Sequence, residues 1–208
     1  MIRNDISGIF FKYVRIIELE LNAILVTFCI YLLCYMKNIK LKKYIKFYGF
    51  AYFFRYPGSK INIHRHCIFR SKKKSNLIGI NHPCYISTLT RTAIINIGKH
   101  SSFSSTVIGA FNSITIGVNV RCGANTLITD GDWHMNDPRC EHPKPVIIEN
   151  NVWLGEGVKV LKGVIIGENS VIGAGSIVTK SIPPNVIAAG NPCKVIKELN
   201  ESEYSYNS

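Results

Sequence analysis

Between Ile148 and Ile182 an aliphatic residue returns at every sixth position: Ile148, Leu154, Val160, Ile166, Ile172 and Val178. The next position is usually small, as at Gly155, Gly167 and Gly173, and four places on from each aliphatic residue stand Val152, Val158, Val164, Ser170, Ser176 and Ile182. Neither regular element repeats in this way, because side chains recur at about 3.6 residues on a helix face and about 2 on a strand. A period of six fits a coil with flat sides and sharp corners. The aliphatic residue points inward, β-branched residues make a short strand, and glycine or another small residue turns the corner. Stacked coils of this kind bury one continuous column, which is the hexapeptide form of a parallel β-helix. A sandwich of ordinary strands would instead place turn signals roughly every 8–12 residues.

Upstream the period is weaker. Ile61, Ile63, Cys67 and Phe69 alternate loosely, Lys72-Lys73-Lys74 marks a loop, and Ile97-Gly98 and Phe103-Ser104 begin the six-residue repeat. After a slip near Val107–Asn112 it is regular at Ile116-Gly117, Cys122-Gly123 and Ile128-Thr129. The reading is a mainly β chain with three parts. Residues 1–60 are an N-terminal helical segment, 61–198 a β-helix with a protruding loop at 130–147, and 199–208 a disordered tail. Pro57-Gly58-Ser59 marks the first boundary, and Pro183-Pro184 stops the coils.

Charge is distributed unevenly. Residues 1–75 hold 15 Lys+Arg against Asp5, Glu18 and Glu20, whereas residues 76–208 hold 10 of each sign. The whole excess of +12 therefore lies in the N-terminal third, and such a segment seeks an anionic surface. Within it, residues 1–20 are expected to be helical, and Leu21–Met36 form a sixteen-residue run without charge, followed by Lys37, Lys40, Lys42, Lys43 and Lys46. Sixteen falls just short of the roughly 17–25 apolar residues of a spanning helix, so a helix lying in or dipping into a bilayer interface is expected, with lysines at anionic headgroups contributing about 1 kcal/mol each. If the helix does span, these lysines place the remainder in the cytoplasm. The alternative is a helix packed on the β-helix with a solvated basic face. Seven cysteines, an odd number with no CxxC pair, argue against a disulfide framework or a cysteine zinc site and for a reducing compartment. No secretory signal peptide is expected, because the first apolar run starts late and lacks a small-residue cleavage site. Net charge alone points to nucleic acid, and no recognition motif supports that partner.

The interruption from Asp130 to Ile147 carries His134, His142, Asp130, Asp132, Asp137, Glu141, Trp133 and Arg139, and insertions on solenoids often hold function. Around it, ITIGVNVRCGANTLITDGDWH and NNVWLGEGVKVLKGVIIGENSVIGAGSIVTKSIPPNVIAAGNPCKVIKEL resemble the hexapeptide-repeat acetyltransferases, similar to the galactoside and maltose enzymes, which move acetyl from acetyl-CoA to a sugar hydroxyl. The resemblance runs from Ile114 to Leu199; the first 60 residues lie outside it. It implies a left-handed parallel β-helix, a homotrimer with active sites between neighbouring subunits, and acetyl-CoA as co-substrate without a metal.

A sugar hydroxyl needs a base to take its proton as it attacks a thioester, and histidine, with an ordinary pKa of about 6.5, suits that task. His134 matches the family's catalytic histidine, and Asp132 or Asp130 is expected to orient its ring. The resemblance places Trp153 as a wall of the site and an amide near Gly155-Glu156 as oxyanion donor. It places coenzyme contacts at Glu156, Ala174, Thr179, Lys180, Lys194 and Lys197. Lysine stands where the family often has arginine in the last two, which keeps the charge and loses the bidentate fork. His64, His66, His82, His100 and His142 are expected at the surface without a catalytic task. The N-terminal third departs from the family's acceptor-binding region. A surface-polysaccharide precursor, free or lipid-linked, is therefore the expected acceptor, with peripheral membrane contact through residues 1–50 and a location in the cytoplasm at the inner face of the membrane. Two competing readings are a carbonic-anhydrase-type β-helix holding a metal on three histidines, and a β-helix scaffold without enzymatic activity.

Overall fold

The computed structural model describes residues 5–134 and 136–204. It opens with one continuous helix, α1 (Ile6–Met36), whose N-cap Asp5 accepts a hydrogen bond from the Gly8 amide at 2.8 Å.

Six three-stranded coils follow. The first is β1 (Lys40–Leu41), β2 (Lys46–Tyr48) and β3 (Tyr52–Arg55). The second is β4 (Lys60–Ile63), β5 (Ile68–Arg70) and β6 (Tyr85–Thr88); the third is β7 (Ile94–Ile97), β8 (Ser102–Ser104) and β9 (Val107–Ala110). The fourth is β10 (Ser113–Ile116), β11 (Arg121–Ala124) and β12 (Leu127–Thr129). After the loop come β13 (Val146–Ile148), β14 (Trp153–Leu154) and β15 (Lys159–Val160), then β16 (Ile165–Ile166), β17 (Val171–Ile172) and β18 (Ile177–Val178). Strands one coil apart pair in parallel, giving three sheets: A (β1-β4-β7-β10-β13-β16), B (from β2 to β17) and C (from β3 to β18). The result is a left-handed parallel β-helix. Sheet B continues into β19 (Val186–Ala189), on which β20 (Lys194–Glu198) folds back antiparallel; α2 (Glu201–Tyr204) follows.

The β-helix thus begins at Lys40, about twenty residues before the expected boundary, and the loop ends at Pro145, because Val146 is already in β13. Of the tail, residues 201–204 are helical and residues 205–208 lie outside the described residues.

Every residue of the six-fold series, Ile148 to Val178, is fully buried, and so are Val152, Val158, Val164, Ser170 and Ser176. Both positions therefore face the column, and the corners fall between them. In the first coils the column is aromatic: Phe47, Phe69 and Phe103 stack at centroid distances of 5.0 and 4.9 Å. Their place in sheet B passes to Cys122, Leu154, Ile172 and Ala188 in later coils.

The corner between sheets A and B needs a left-handed backbone in each coil, and no glycine supplies it. Tyr44, His66, His100, Asn119, Asn151, Asn169 and Asn185 take φ between 57° and 63°. Asparagine tolerates this region better than most residues. The asparagine amides link at 3.1, 3.1 and 2.8 Å up the corner, and the rings stack at 5.2 Å for Tyr44–His66 and 4.9 Å for His66–His100. His66 and His100 are corner residues in an external ladder.

Helix α1 closes the open end of the first coil. Leu19, Ala23, Val26, Ile30 and Cys34, at helical spacing, are its buried face, and the last three join the main core with Ile39, Ile45 and Phe47. Its side chains satisfy backbone groups that a preceding coil would otherwise bond. Thr27 Oγ1 accepts from the Phe47 amide at 2.9 Å, the Tyr31 hydroxyl donates to the Lys42 carbonyl at 2.6 Å, and Lys37 Nζ donates to the Phe53 carbonyl at 2.8 Å.

Ile166 has no slack around it, since its column neighbours Ile148 and Ile182 are also buried. Ile166→Ala is expected to cost about 2–5 kcal/mol, read as a lowered urea midpoint at fixed protein concentration with an unchanged slope.

Candidate active site

The loop between β12 and β13 leaves the corner between sheets C and A, and its base is built from side chains of the coils it interrupts. Asp130 is fully buried, and its carboxylate accepts from the amides of Phe111 at 2.6 Å and Asn112 at 2.8 Å, holding the corner one coil below. Burial pushes its carboxyl above the ordinary range, against the pull of those amides. The Asp130 carbonyl accepts from the Lys144 amide at 2.9 Å, which ties the loop's exit to its entrance.

Trp133 lies over this base. Its indole N–H donates to Thr129 Oγ1 at 3.1 Å, and its ring meets Phe111 edge-on at 5.6 Å. Glycine is required beneath it, since a Cβ on Gly109 would sit 2.5 Å from the indole. Asp132 forms an ion pair with Lys162 and accepts from the Glu141 amide at 3.2 Å. Lys162 in turn lies 3.8 Å from Glu141, and Glu141 pairs with Lys144 at 2.6 Å. The Lys162 ammonium holds the Asp132 carboxyl below its ordinary 3.8. At the tip, Asp137 binds Arg139 through both oxygens, at 2.9 and 2.6 Å.

On this frame His134 is exposed. Its amide donates to the Asp132 carbonyl at 2.8 Å and its carbonyl accepts from the Asp137 amide at 2.9 Å. His134, with Trp133, Asn136 and Asp137, lines an open cavity of about 540 Å³. The backbone of the histidine is thus fixed on both sides, and the exposed residue borders a space large enough for a small substrate. Neither expected orienting acid reaches the ring among the described hydrogen bonds: Asp130 is committed to the corner and Asp132 to Lys162 and Glu141. Both acids position the loop.

The other expected residues lie elsewhere. Trp153 stands on β14 with its side chain outward and half exposed. Glu156 and Ala174 are at the corner between sheets B and C. The Gly155 amide is taken by the Ile172 carbonyl at 2.8 Å. Thr179 and Lys180 follow β18, exposed, and Lys194 and Lys197 are exposed on β20. Lys197 is ion-paired with Glu203 of α2. Within one chain the loop of His134 thus leaves one edge of sheet C, whereas Glu156 and Ala174 stand at the corner on its other edge.

Two features escaped the sequence reading. Lys162 anchors the loop, and the pairing of Ile128 with Val160 puts it directly above Asp130, so counting the period across the loop would have found it. The segment after β5 also climbs the B–C corner: the Asn81 amide donates to Asn125 Oδ1 at 3.0 Å, and Asn125 Nδ2 donates to the Gly79 carbonyl at 3.1 Å and Glu156 Oε1 at 3.3 Å. His82 is fixed there, with Nδ1 3.0 Å from Ser105 Oγ. Among the described residues no group of three His, Cys, Asp or Glu side chains lies together for a metal ion.

Comparison with known proteins agrees with this architecture. Residues 145–180 match the family model described as bacterial transferase hexapeptide (six repeats). Over 118 residues, 54% of this chain and 58% of the relative, the sequence is 46% identical to galactoside O-acetyltransferase of Escherichia coli (strain K12). It is 42% identical over 130 residues, 60% of this chain and 62% of the relative, to galactoside O-acetyltransferase of Lactococcus lactis subsp. lactis (strain IL1403). The chain thus spans about three fifths of the length of these curated relatives. A crystal structure of a mutant of AntD, an N-acyltransferase from Bacillus cereus, in complex with dTDP and coenzyme A, has a TM-score of 0.57 at 18% identity, covering 76% of this chain and 82% of that one; this likeness concerns the fold alone.

Because the Asp132 pKa is lowered in the folded state, its contribution is present above the unfolded value and is lost as pH falls through the folded one. In a Trp153→Phe background, Trp133 fluorescence should show an acid step from Asp132 below the ordinary carboxylate range, separate from that of Asp130, which burial moves the other way. Asp132→Asn should abolish that acid step and shift the emission already at neutral pH; an unchanged titration would refute the anchoring.

Proposed function

We propose that this chain is an acetyl-CoA-dependent O-acetyltransferase acting on a sugar hydroxyl of a bacterial surface-polysaccharide precursor, such as an O-antigen, capsule or exopolysaccharide. The observation that carries the reading is the exposed His134 imidazole, on a backbone-fixed loop beside an open cavity, in a hexapeptide β-helix similar to galactoside O-acetyltransferases. In the proposed reaction the acceptor oxygen attacks the thioester carbonyl as His134 takes its proton. A C–O bond forms, and negative charge on the carbonyl oxygen is met by the Glu156 amide. Collapse breaks the C–S bond, and the imidazolium returns its proton to the departing thiolate, leaving a sugar ester and free coenzyme A.

The separation of His134 from Glu156 and Ala174 supports a shared site, in which the loop of one copy faces the B–C corner of its neighbour in a homotrimer. Small residues at Gly173, Ala174 and Gly175 leave backbone accessible to a pantetheine arm, and Thr179, Lys180, Lys194 and Lys197 offer donors and charge for phosphates. Trp153 would wall the groove. The acceptor is read as a lipid-linked or otherwise membrane-held saccharide, with the enzyme in the cytoplasm in peripheral contact with the inner face of the membrane. The basic, apolar first 50 residues support that reading.

His134→Ala should lower acetyl transfer, followed by release of the coenzyme thiol, by about 10²–10⁴ with coenzyme binding retained. Cells lacking the gene should regain O-acetyl proton signals on their surface polysaccharide with the native chain and not with His134→Ala. Full restoration by the variant would remove His134 from the mechanism. Two inactive chains, His134→Ala and Ala174→Trp, should recover part of the activity when refolded together, because a mixed assembly contains interfaces with both residues intact; a mixture that stays inactive would refute the shared site.

A further inference from the structure

Helix α1 has two apolar faces, and the β-helix uses one. Opposite the buried face, Phe10, Ile17, Leu21, Leu25, Phe28 and Leu32 form a second stripe at spacings of three, four and seven, between 54% and 73% exposed. The helix is long and apolar enough to cross a membrane, yet it is bound lengthwise to the protein. Arg15 donates to the Lys74 carbonyl at 2.7 Å, Glu18 pairs with Lys72 at 3.2 Å, and Glu20 pairs with Lys46 at 3.1 Å and accepts from the Tyr48 hydroxyl at 2.6 Å. Thr27, Tyr31 and Lys37 continue the attachment along the open edge of the first coil. A helix held from Arg15 to Lys37 cannot also run through a bilayer without drawing those ion pairs and coil edges into hydrocarbon.

We infer that α1 lies flat in the interface of an anionic membrane as a monotopic foot, stripe downward, and that the β-helix stands on it with its axis along the membrane normal. This deepens the proposed membrane contact and rests on it. The upright stance follows from the capping: α1 covers the end of the column, so its free face looks away along the axis. Charge selects the occupant. Lys40, Lys42 and Lys43 are exposed on the first coil that α1 caps, Lys72 and Lys74 pair with Glu18 of the helix itself, and the first 75 residues hold 15 cations against 3 anions. A second copy of this surface would meet it with the same charge, whereas anionic headgroups complement it. The catalytic loop leaves between the fourth and fifth coils, three to four strand spacings above the first, or roughly 15–20 Å at about 4.8 Å per coil. A site held at that height suits a glycan tethered to the same membrane and reaching upward by several sugar units.

Native thiols provide the test. Burial pushes the Cys34 and Cys67 thiols up to about 12 and about 11, and Cys84, Cys122 and Cys193 are also buried, while Cys29 on α1 is exposed and Cys140 in the loop is partly so. Full-length chains carrying Cys29→Ser or Cys140→Ser are labelled with an environment-sensitive fluorophore and mixed with phosphatidylglycerol–phosphatidylcholine vesicles containing nitroxide lipids. Flotation of the chain and quenching at Cys29 by a shallow nitroxide more than by a deep one, with none at Cys140, is the expected result. The pair Leu25→Asp and Phe28→Asp, on exposed positions, should lower vesicle partitioning at least about a hundredfold, from the loss of two apolar side chains, with thermal unfolding unchanged. Failure of the native chain to float overturns the membrane contact itself. Flotation with deep quenching at Cys29, or with quenching at Cys140, overturns the flat foot or the upright stance while leaving the contact. A variant that floats like the native chain, or that changes oligomeric mass instead, assigns the stripe to another partner and overturns the inference.

Discussion

Each coil of this molecule is bonded to the coils on either side of it and to little else. Backbone amides of one coil donate to carbonyls of the next, as Trp153 does to Ser170 at 3.0 Å and Lys159 to Ser176 at 2.9 Å, and the inward side chains stack on their counterparts one coil away. A column of this kind is satisfied everywhere except at its ends and where it is interrupted. The ends must be capped, and an interruption must be closed by its own bonds. The remaining features of the chain are answers to those two requirements.

At the lower end the answer is α1, which puts two hydroxyls and an ammonium where backbone partners are missing and closes the column with Val26, Ile30 and Cys34. At the upper end β20 folds back on β19, and α2 engages Lys197 through Glu203. The lower cap leaves an apolar stripe, on the part of the chain that holds the excess of positive charge. The upper cap leaves Lys194 and Lys197 exposed beside the corner read as the coenzyme groove. Both caps thus have an outer surface whose chemistry is distinct from that of the neutral coils between them.

The interruption after Thr129 is closed by Asp130, Trp133 and the Asp132–Lys162 pair. A buried carboxylate accepting two amides is costly to remove, since it would leave those donors unsatisfied. The loop therefore leaves the coil along one path, and His134 follows four residues later with its amide and carbonyl both bonded. Rigidity at the base of the loop is what the proposed general base needs, because proton transfer depends on geometry first.

How much of this could be read beforehand depends on the length scale of each feature. The six-residue series from Ile148 to Val178 declares coils, corners and column by itself, because both inward positions are aliphatic or small and no insertion disturbs the count. The loop was legible as the place where that count fails, while the role expected of His134 came from the family resemblance. In the first coils the period is hidden by Phe47, Phe69 and Phe103 in aliphatic positions and by the segment between β5 and β6. Along α1 the charged residues Lys12, Arg15, Glu18 and Glu20 likewise carry no sign of their partners. Only the tertiary structure could show that three of those charges bond to the coil and the loop beside it, that Asp130 holds a corner and not an imidazole, and that His134 and Ala174 stand on different corners of one chain. Local repetition is written in the sequence because each residue's inward or outward sense repeats with its neighbours. Which side chain meets which across a coil depends on register, and here register was set by insertions whose lengths have no periodic meaning until the strands are paired.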